Sequence, residues 1–211
     1  MSEILMLSNC RLSFPALVEP KASAEGSKPK YSADLLIPVN SPDVQRFATQ
    51  YAKIATEKWG EHANAVMQMI QGDRKVRCFG KGEEKINKKT FQPYNGYEGM
   101  VYISANSDRQ PQMIRLDGSG ADPANTLECQ TLARKLYGGC YVNVAIRPWL
   151  QDNKHGRGVR CELIAIQFAN DGGAFGEGTA DASNLFGAVA GAAPVTGFGA
   201  AVAGGLPSFL G

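Results

Sequence analysis

The segment that most restricts the fold is "GCYVNVAIRPW", residues 139–149. Its alternation assigns Val142, Val144 and Ile146 to one face and Tyr141, Asn143, Arg147 and Trp149 to the other. That period of two belongs to a half-buried strand. The polar turn "DNKHGRG" (152–158) follows, and "VRCELIAIQF" (159–168) returns as a second, mostly buried strand.

Further strands precede this pair. "ILMLSNCRLSFPALVEP" (4–20), the polar link "KASAEGSKPK" (21–30) and "YSADLLIP" (31–38) read as a long β-hairpin with a loose tip. "RKVRCF" (74–79), "MVYISA" (100–105) and "QMIRL" (112–116) read as three more strands. One helical insertion interrupts them at 42–71. Ser41 fits an N-cap, with Pro42 at the first helical position and Asp43 in the first turn. Val44, Phe47, Tyr51, Ile54 and Ala55 share one face, Gly60 breaks the helix, and a second helix over 61–71 buries Val66, Met67 and Ile70. Strands, a helical insertion and more strands predict a mainly β fold, a small barrel or sandwich.

Residues 171–211 are different material, with 21 Gly or Ala among 41 positions. Side chains that small do not offset ordering entropy, so a disordered tail is expected beyond a domain at 1–170. Phe175, Phe186, Phe198 and Phe209 recur in it at gaps of 11, 12 and 11 residues. They read either as weak contact points on a flexible string or as stray rings in a linker. Three of the 20 acidic side chains and none of the 22 basic ones fall in this tail, which leaves the body at about +5.

Five cysteines, an odd number without zinc spacing, read as reduced core thiols of a cytosolic protein. The N-terminus lacks signal-peptide character, and no apolar run approaches the ~20 residues of a membrane span. No catalytic constellation appears. His62 and His155, the two histidines, read as surface residues, and "FGKGEEK" (79–85) lacks the P-loop pattern. Glu83–Glu84 and Asp117/Asp122 read as solvated loop carboxylates. No metal and no cofactor are expected.

What remains is an arrangement suited to a polyanion with exposed rings. Arg74, Lys75, Arg77, Lys81, Lys85, Lys88 and Lys89 are interleaved with Phe79, Phe91, Tyr94, Tyr97 and Tyr102. Tyr141, Arg147 and Trp149 add a strand face, followed by Lys154, Arg157 and Arg160. Unpaired nucleic acid offers phosphates to the cations and open base faces to the rings. Each residue also has a bland reading: Phe79, Tyr97 and Tyr102 fit the core, and a lysine-rich loop fits mere solvation. Tyr97, nearest the following strand, has the strongest core alternative.

Four segments in series complete the reading. "RLSFPALVEPK" (11–21), "KYSADLLIP" (30–38), "YNGYEGMVYISANS" (94–107) and "YGGCYVNVAIRPWLQDNKHGRGVRCELIAIQFANDGGAFG" (137–176) resemble the single-stranded DNA-binding proteins of tailed bacteriophages. The similarity covers about 1–176. It implies an OB-fold barrel that coats single-stranded DNA in phage replication, recombination or repair in the host cytoplasm, without catalysis. Weaker duplex binding is a separate expectation, from a loose basic surface with few base-specific donors. The DNA role falls on Arg74, Lys75, Arg77, Lys85, Lys88, Lys89 and Arg147 for phosphates, with Lys154 and Arg157 beside them. Phe91, Tyr94, Tyr97, Tyr141 and Trp149 are assigned to the bases. Relatives often end in an acidic tail that recruits phage or host replication proteins. "GGLPSFLG" (204–211) keeps the apolar tip but lacks the acidic run. The rival readings are a virion assembly protein and, more weakly, a Mg²⁺ nuclease.

Overall fold

The computed structural model describes residues 3–154 and 156–175. Ten elements follow one another: β1 (Leu5–Lys21), β2 (Lys30–Pro38), α1 (Pro42–Trp59), α2 (Ala63–Gly72), β3 (Phe79–Lys81), β4 (Met100–Ser107), β5 (Gln112–Ile114), α3 (Thr126–Ala133), β6 (Tyr141–Asn153) and β7 (Gly156–Asn170). The sheet runs β3-β4-β2-β1-β6-β7-β5, and a parallel β4–β7 pairing at Asn106 and Glu162 closes β1, β2, β4, β7 and β6 into a barrel. This is the five-stranded OB-type barrel. The helical pair α1–α2 is inserted between its second and third strands.

Alternation along each strand builds the core. Leu7, Leu12, Leu35, Ile103, Val142, Val144, Ile146 and Leu163 are all buried inside the barrel, each contributing about 1.5–3 kcal/mol of apolar burial. Phe47, Tyr51, Ala55, Trp59, Val66 and Ile70 extend that core into the helical insertion. The start of α1 is fixed as its sequence predicts, with Ser41 Oγ accepting the Asp43 N–H at 3.3 Å. The Asp43 carboxylate in turn accepts the Ser8 N–H at 3.0 Å and Arg46 Nη1 at 2.6 Å, tying the helix to β1. Gly60, at φ 52°, ends the helix.

Three expectations need correction. Residues 74–78 are not a strand: β3 spans only Phe79–Lys81, because the chain leaving α2 must first turn. Val159 N–H donates to Val76 O at 2.7 Å along this turn. The β6–β7 connection is tighter than expected, since strand pairing continues to Asn153 and Gly156. Helix α3 was not expected, because its apolar residues do not share a face: Cys129 is buried while Leu127 is exposed. Asn125 caps it, its Oδ1 accepting the Glu128 N–H at 3.2 Å. The second insertion helix begins at Ala63, after a single 3₁₀ turn over Gly60–His62.

All five cysteines are buried and unpaired. Among the described residues, no helix is long and apolar enough to cross a membrane. The expected disorder and spaced rings beyond Phe175 lie outside the described residues.

Candidate nucleic-acid interface

The outer face of the barrel between β2 and β4 carries the side chains that alternate with the core. Ser32, Asp34 and Leu36 lie in register with Asn106, Ser104 and Tyr102. The loop over residues 82–99, which contains the lysine- and tyrosine-rich stretch, folds back over part of this face. Tyr97 packs its ring on Leu36 and Tyr102 and is fully buried. Its hydroxyl donates to Asp34 Oδ2 at 3.1 Å. Burial first, then the Asp34 carboxylate, push the Tyr97 phenol well above its usual pKa, so it stays a donor.

Lys85 completes the same polar cluster. Its Nζ donates to Asp34 Oδ2 at 2.9 Å and Ser104 Oγ at 3.1 Å, and lies 4.5 Å from the centre of the Tyr102 ring. Ser104 Oγ donates to Asp34 Oδ1 at 2.5 Å. One carboxylate on β2 thus gathers three donors, one from β4 and two from the loop. Glu83 Oε1 accepts the Gly99 N–H at 2.7 Å, and that bond is the leading cause of its lowered pKa.

Three residues expected to contact DNA are bonded within the fold. Tyr97 is sealed from solvent, and Lys85, though partly exposed, is bonded to Asp34. Arg77 is also mostly covered, its Nη1 donating to Phe79 O at 2.8 Å and its Nη2 to Glu84 at 2.7 Å. Phe79 likewise packs inward, its ring 5.6 Å from Phe47 and 5.5 Å from Tyr51.

The rim of the loop is open. Lys88, Lys89 and Phe91 are exposed, Phe91 at 78% and with φ 57°. Tyr94 is half-buried and meets Phe14 edge-on, ring centres 4.9 Å apart. Phe14 itself is 53% exposed, held outward by φ 46° in the middle of β1. The rings continue from Tyr94 to Tyr97 at 5.8 Å and to Phe175 at 6.4 Å. Arg11 then bridges Phe175 and Tyr141, 4.3 and 5.6 Å from their ring centres.

Above Phe14 opens a cleft of about 390 Å³ between the β1–β2 tip and the barrel wall. Lys21, Lys28 and Lys30 wall it, and the Asp34–Lys85 pair lies in its floor beside Ser32, Ser104 and Asn106. Lys28 and Lys30 reach Asp108 at 3.4 and 3.7 Å, but these pairs are solvent-exposed and weak. The sequence reading passed over Phe14 as one residue of the first strand and over the three lysines as part of a polar link. The available signal was their place: the loop joining the first two strands of an OB barrel recurrently walls its ligand face.

The expected single face on β6 separates into two. Tyr141 joins the aromatic row through Arg11. Trp149 lies eight residues along the same strand, roughly 26 Å away at strand rise. It is 42% exposed and in register with Arg160. Arg160 Nη1 donates to Lys75 O at 3.2 Å, bringing Lys75 beside this second patch. Arg147 pairs with Glu162 at 3.0 Å and Arg157 with Asp152 at 3.4 Å, all near the surface. Lys154 and Arg74 are exposed, Arg74 Nε standing 3.9 Å from Glu84. Among the described residues, no group of His, Cys, Asp and Glu is placed to hold a metal.

A closed barrel with a lysine-walled cleft and a row of rings on its outer face defines an OB-fold binding protein. Residues 3–194 match the family described as Enterobacter phage Enc34, ssDNA-binding protein, and the chain belongs to that family. Protein p50 of Acyrthosiphon pisum secondary endosymbiont phage 1 is 32% identical over 174 residues, 81% of this chain and 85% of its own length. The single-stranded DNA-binding protein of bacteriophage Enc34, solved in complex with ssDNA, aligns at TM-score 0.60 and 25% identity over 82% of this chain and 89% of that one. The same phage protein without DNA aligns at 0.61 and 26%, over 86% and 89%. Gp2.5 of bacteriophage T7 shares the fold, with TM-score 0.50 and 13% identity over 95% of this chain and 100% of that one.

Proposed function

We propose that this chain binds single-stranded DNA without sequence preference and coats it during phage replication, recombination or repair in the host cytoplasm. The observation that carries the reading is the aromatic row leading into the lysine-walled cleft on the outer β1–β2–β4 surface. Lys21, Lys28, Lys30, Lys88 and Lys89 serve the phosphates, and Phe14, Phe91, Tyr94 and Tyr141 serve the bases. Trp149, with Arg74, Lys75, Arg147, Lys154 and Arg157, forms a second contact patch along the strand. Base-edge readout needs donors and acceptors fixed against the bases, whereas rings and lysines grip any sequence. Family membership and a relative solved with ssDNA support the reading.

The test is an anisotropy panel with labelled oligo-dT, a mixed-sequence single strand, duplex DNA and RNA at two salt concentrations. Both single DNA strands bind alike and duplex binds more weakly. The logarithm of affinity falls with log salt by about 0.7 per phosphate neutralised. Equal affinity for duplex and single strand at both salts would refute a site that depends on open base faces.

A further inference from the structure

The chain does not leave the barrel at the end of β7. Residues 171–175 are clasped onto the outer face. The Tyr137 hydroxyl accepts the Gly172 N–H at 3.0 Å and lies 2.9 Å from Gly172 O. Arg11 Nη2 donates to Gly173 O at 2.6 Å, and the Phe175 N–H donates to Gly138 O at 2.8 Å. Two glycines make room for the strap. A β-carbon on Gly139 (φ 109°) would stand 2.2 Å from Gly173 O, and one on Gly96 (φ 79°) 2.2 Å from Phe175 Cε1.

These contacts fix the backbone that carries the Phe175 ring, which is half-buried and packs at the edge of the Leu36–Tyr97–Tyr102 cluster. Tyr97 in that cluster is fully covered, whereas Phe175 keeps part of its ring open. Phe175 stands between Tyr97 and Arg11, filling the gap between the Phe14–Tyr94 rings and Tyr141. Arg11, with a ring near it on each side and a guanidinium hydrogen committed to Gly173 O, is held as a spacer between Phe175 and Tyr141.

Resting on the single-stranded DNA reading, we infer that Phe175 is a base-stacking residue of the DNA surface. The binding domain therefore extends past Asn170 to include Phe175. The compact unit of the fold, Met1–Gly176, includes it as well.

The experiment uses the full-length chain. Wild type, Phe175→Ala and Phe175→Tyr are titrated with labelled oligo-dT across a salt series. Wild type is also photo-crosslinked to an oligonucleotide carrying 5-iodouracil, and the adducts are mapped by mass spectrometry. Loss of one stacked base weakens Phe175→Ala by roughly 5- to 160-fold, with the slope of affinity against salt unchanged because no phosphate contact is lost. Phe175→Tyr keeps near-wild-type affinity, and the crosslink maps to Phe175. Unchanged or tighter binding by a folded Phe175→Ala chain, or crosslinks that avoid Phe175, overturns this inference alone. Failure of the wild type to bind oligo-dT overturns the reading beneath it as well. The crosslink needs no variant, so a Phe175→Ala chain that does not fold leaves it decisive.

Discussion

Lys85 and Lys88 lie three residues apart in one loop, yet Lys85 is bonded to Asp34 while Lys88 is exposed, and the proposed site gives them different jobs. Lys85→Ala removes the ammonium from a side-chain cluster in which the Asp34 carboxylate is 10% exposed and Lys85 itself 27%. Breaking a buried pair by removing one partner costs about 3–5 kcal/mol. Asp34 keeps its bonds from Ser104 and Tyr97, and Lys85 is partly solvated, so the cost is discounted below that range, to about 2–3 kcal/mol. At about 2–4 °C per kcal/mol for a domain of this size, the melting temperature falls by roughly 4–12 °C. Lys88→Ala and Lys89→Ala, both at exposed positions, change stability by about 0.5 kcal/mol or less. Each instead lowers the salt slope of oligo-dT binding by about 0.7. Thermal melts followed by circular dichroism and anisotropy titrations on the three variants decide the matter. A Lys85→Ala chain that melts with the wild type and loses one phosphate's worth of salt slope would refute the structural role. Replacing both partners, as in Asp34→Asn with Lys85→Met, should recover much of the lost stability, because no uncompensated charge is left buried.

Other consequences follow from the same geometry. Trp149→Ala weakens binding to oligo-dT by about 1–3 kcal/mol if its exposed ring stacks, with no shift in melting temperature. Asp152 accepts the Trp59 Nε1–H at 2.7 Å, and that bond is the first cause of its lowered pKa. A carboxyl depressed in the folded state stabilises above its unfolded value of about 3.9 and loses that contribution as pH falls through the lower folded value. The stability gap between wild type and Trp59→Phe should therefore narrow below about pH 4 in acid titrations of the melting temperature. A constant gap would refute the assignment. Burial pushes the thiols of Cys10 and Cys78 up to about 12 and of Cys140 to about 11. Reaction with a thiol reagent at pH 8 should be slow in the native protein and complete in guanidinium.

The strands and the first insertion helix are legible in the sequence because their signals are local. Alternation through Val142, Val144 and Ile146 and the Ser41-Pro42-Asp43 start each need only a few neighbouring residues. The site is legible only in outline. Lysine and tyrosine read the same whether they face DNA or a carboxylate far off in sequence. Asp34 is 51 residues from Lys85 and 63 from Tyr97, so neither pairing leaves a local trace. Phe14 was missed for a related reason. Ahead of Pro15 it looks like one more apolar residue of a strand, and its positive φ turns the ring outward. Tyr141 and Trp149 share a strand face as their spacing says, but the distance between them along β6 places them in separate patches.

The central claim is that nucleic acid runs through the cleft beneath the β1–β2 tip. The most direct test is the salt slope of oligo-dT binding for the wild type and for a Lys21→Ala, Lys28→Ala, Lys30→Ala chain. If all three lysines meet phosphates, the slope falls by about 2, with affinity reduced most at low salt and the melting temperature held. A triple variant that binds oligo-dT with the wild-type slope and affinity would contradict the account and place the DNA elsewhere on the barrel.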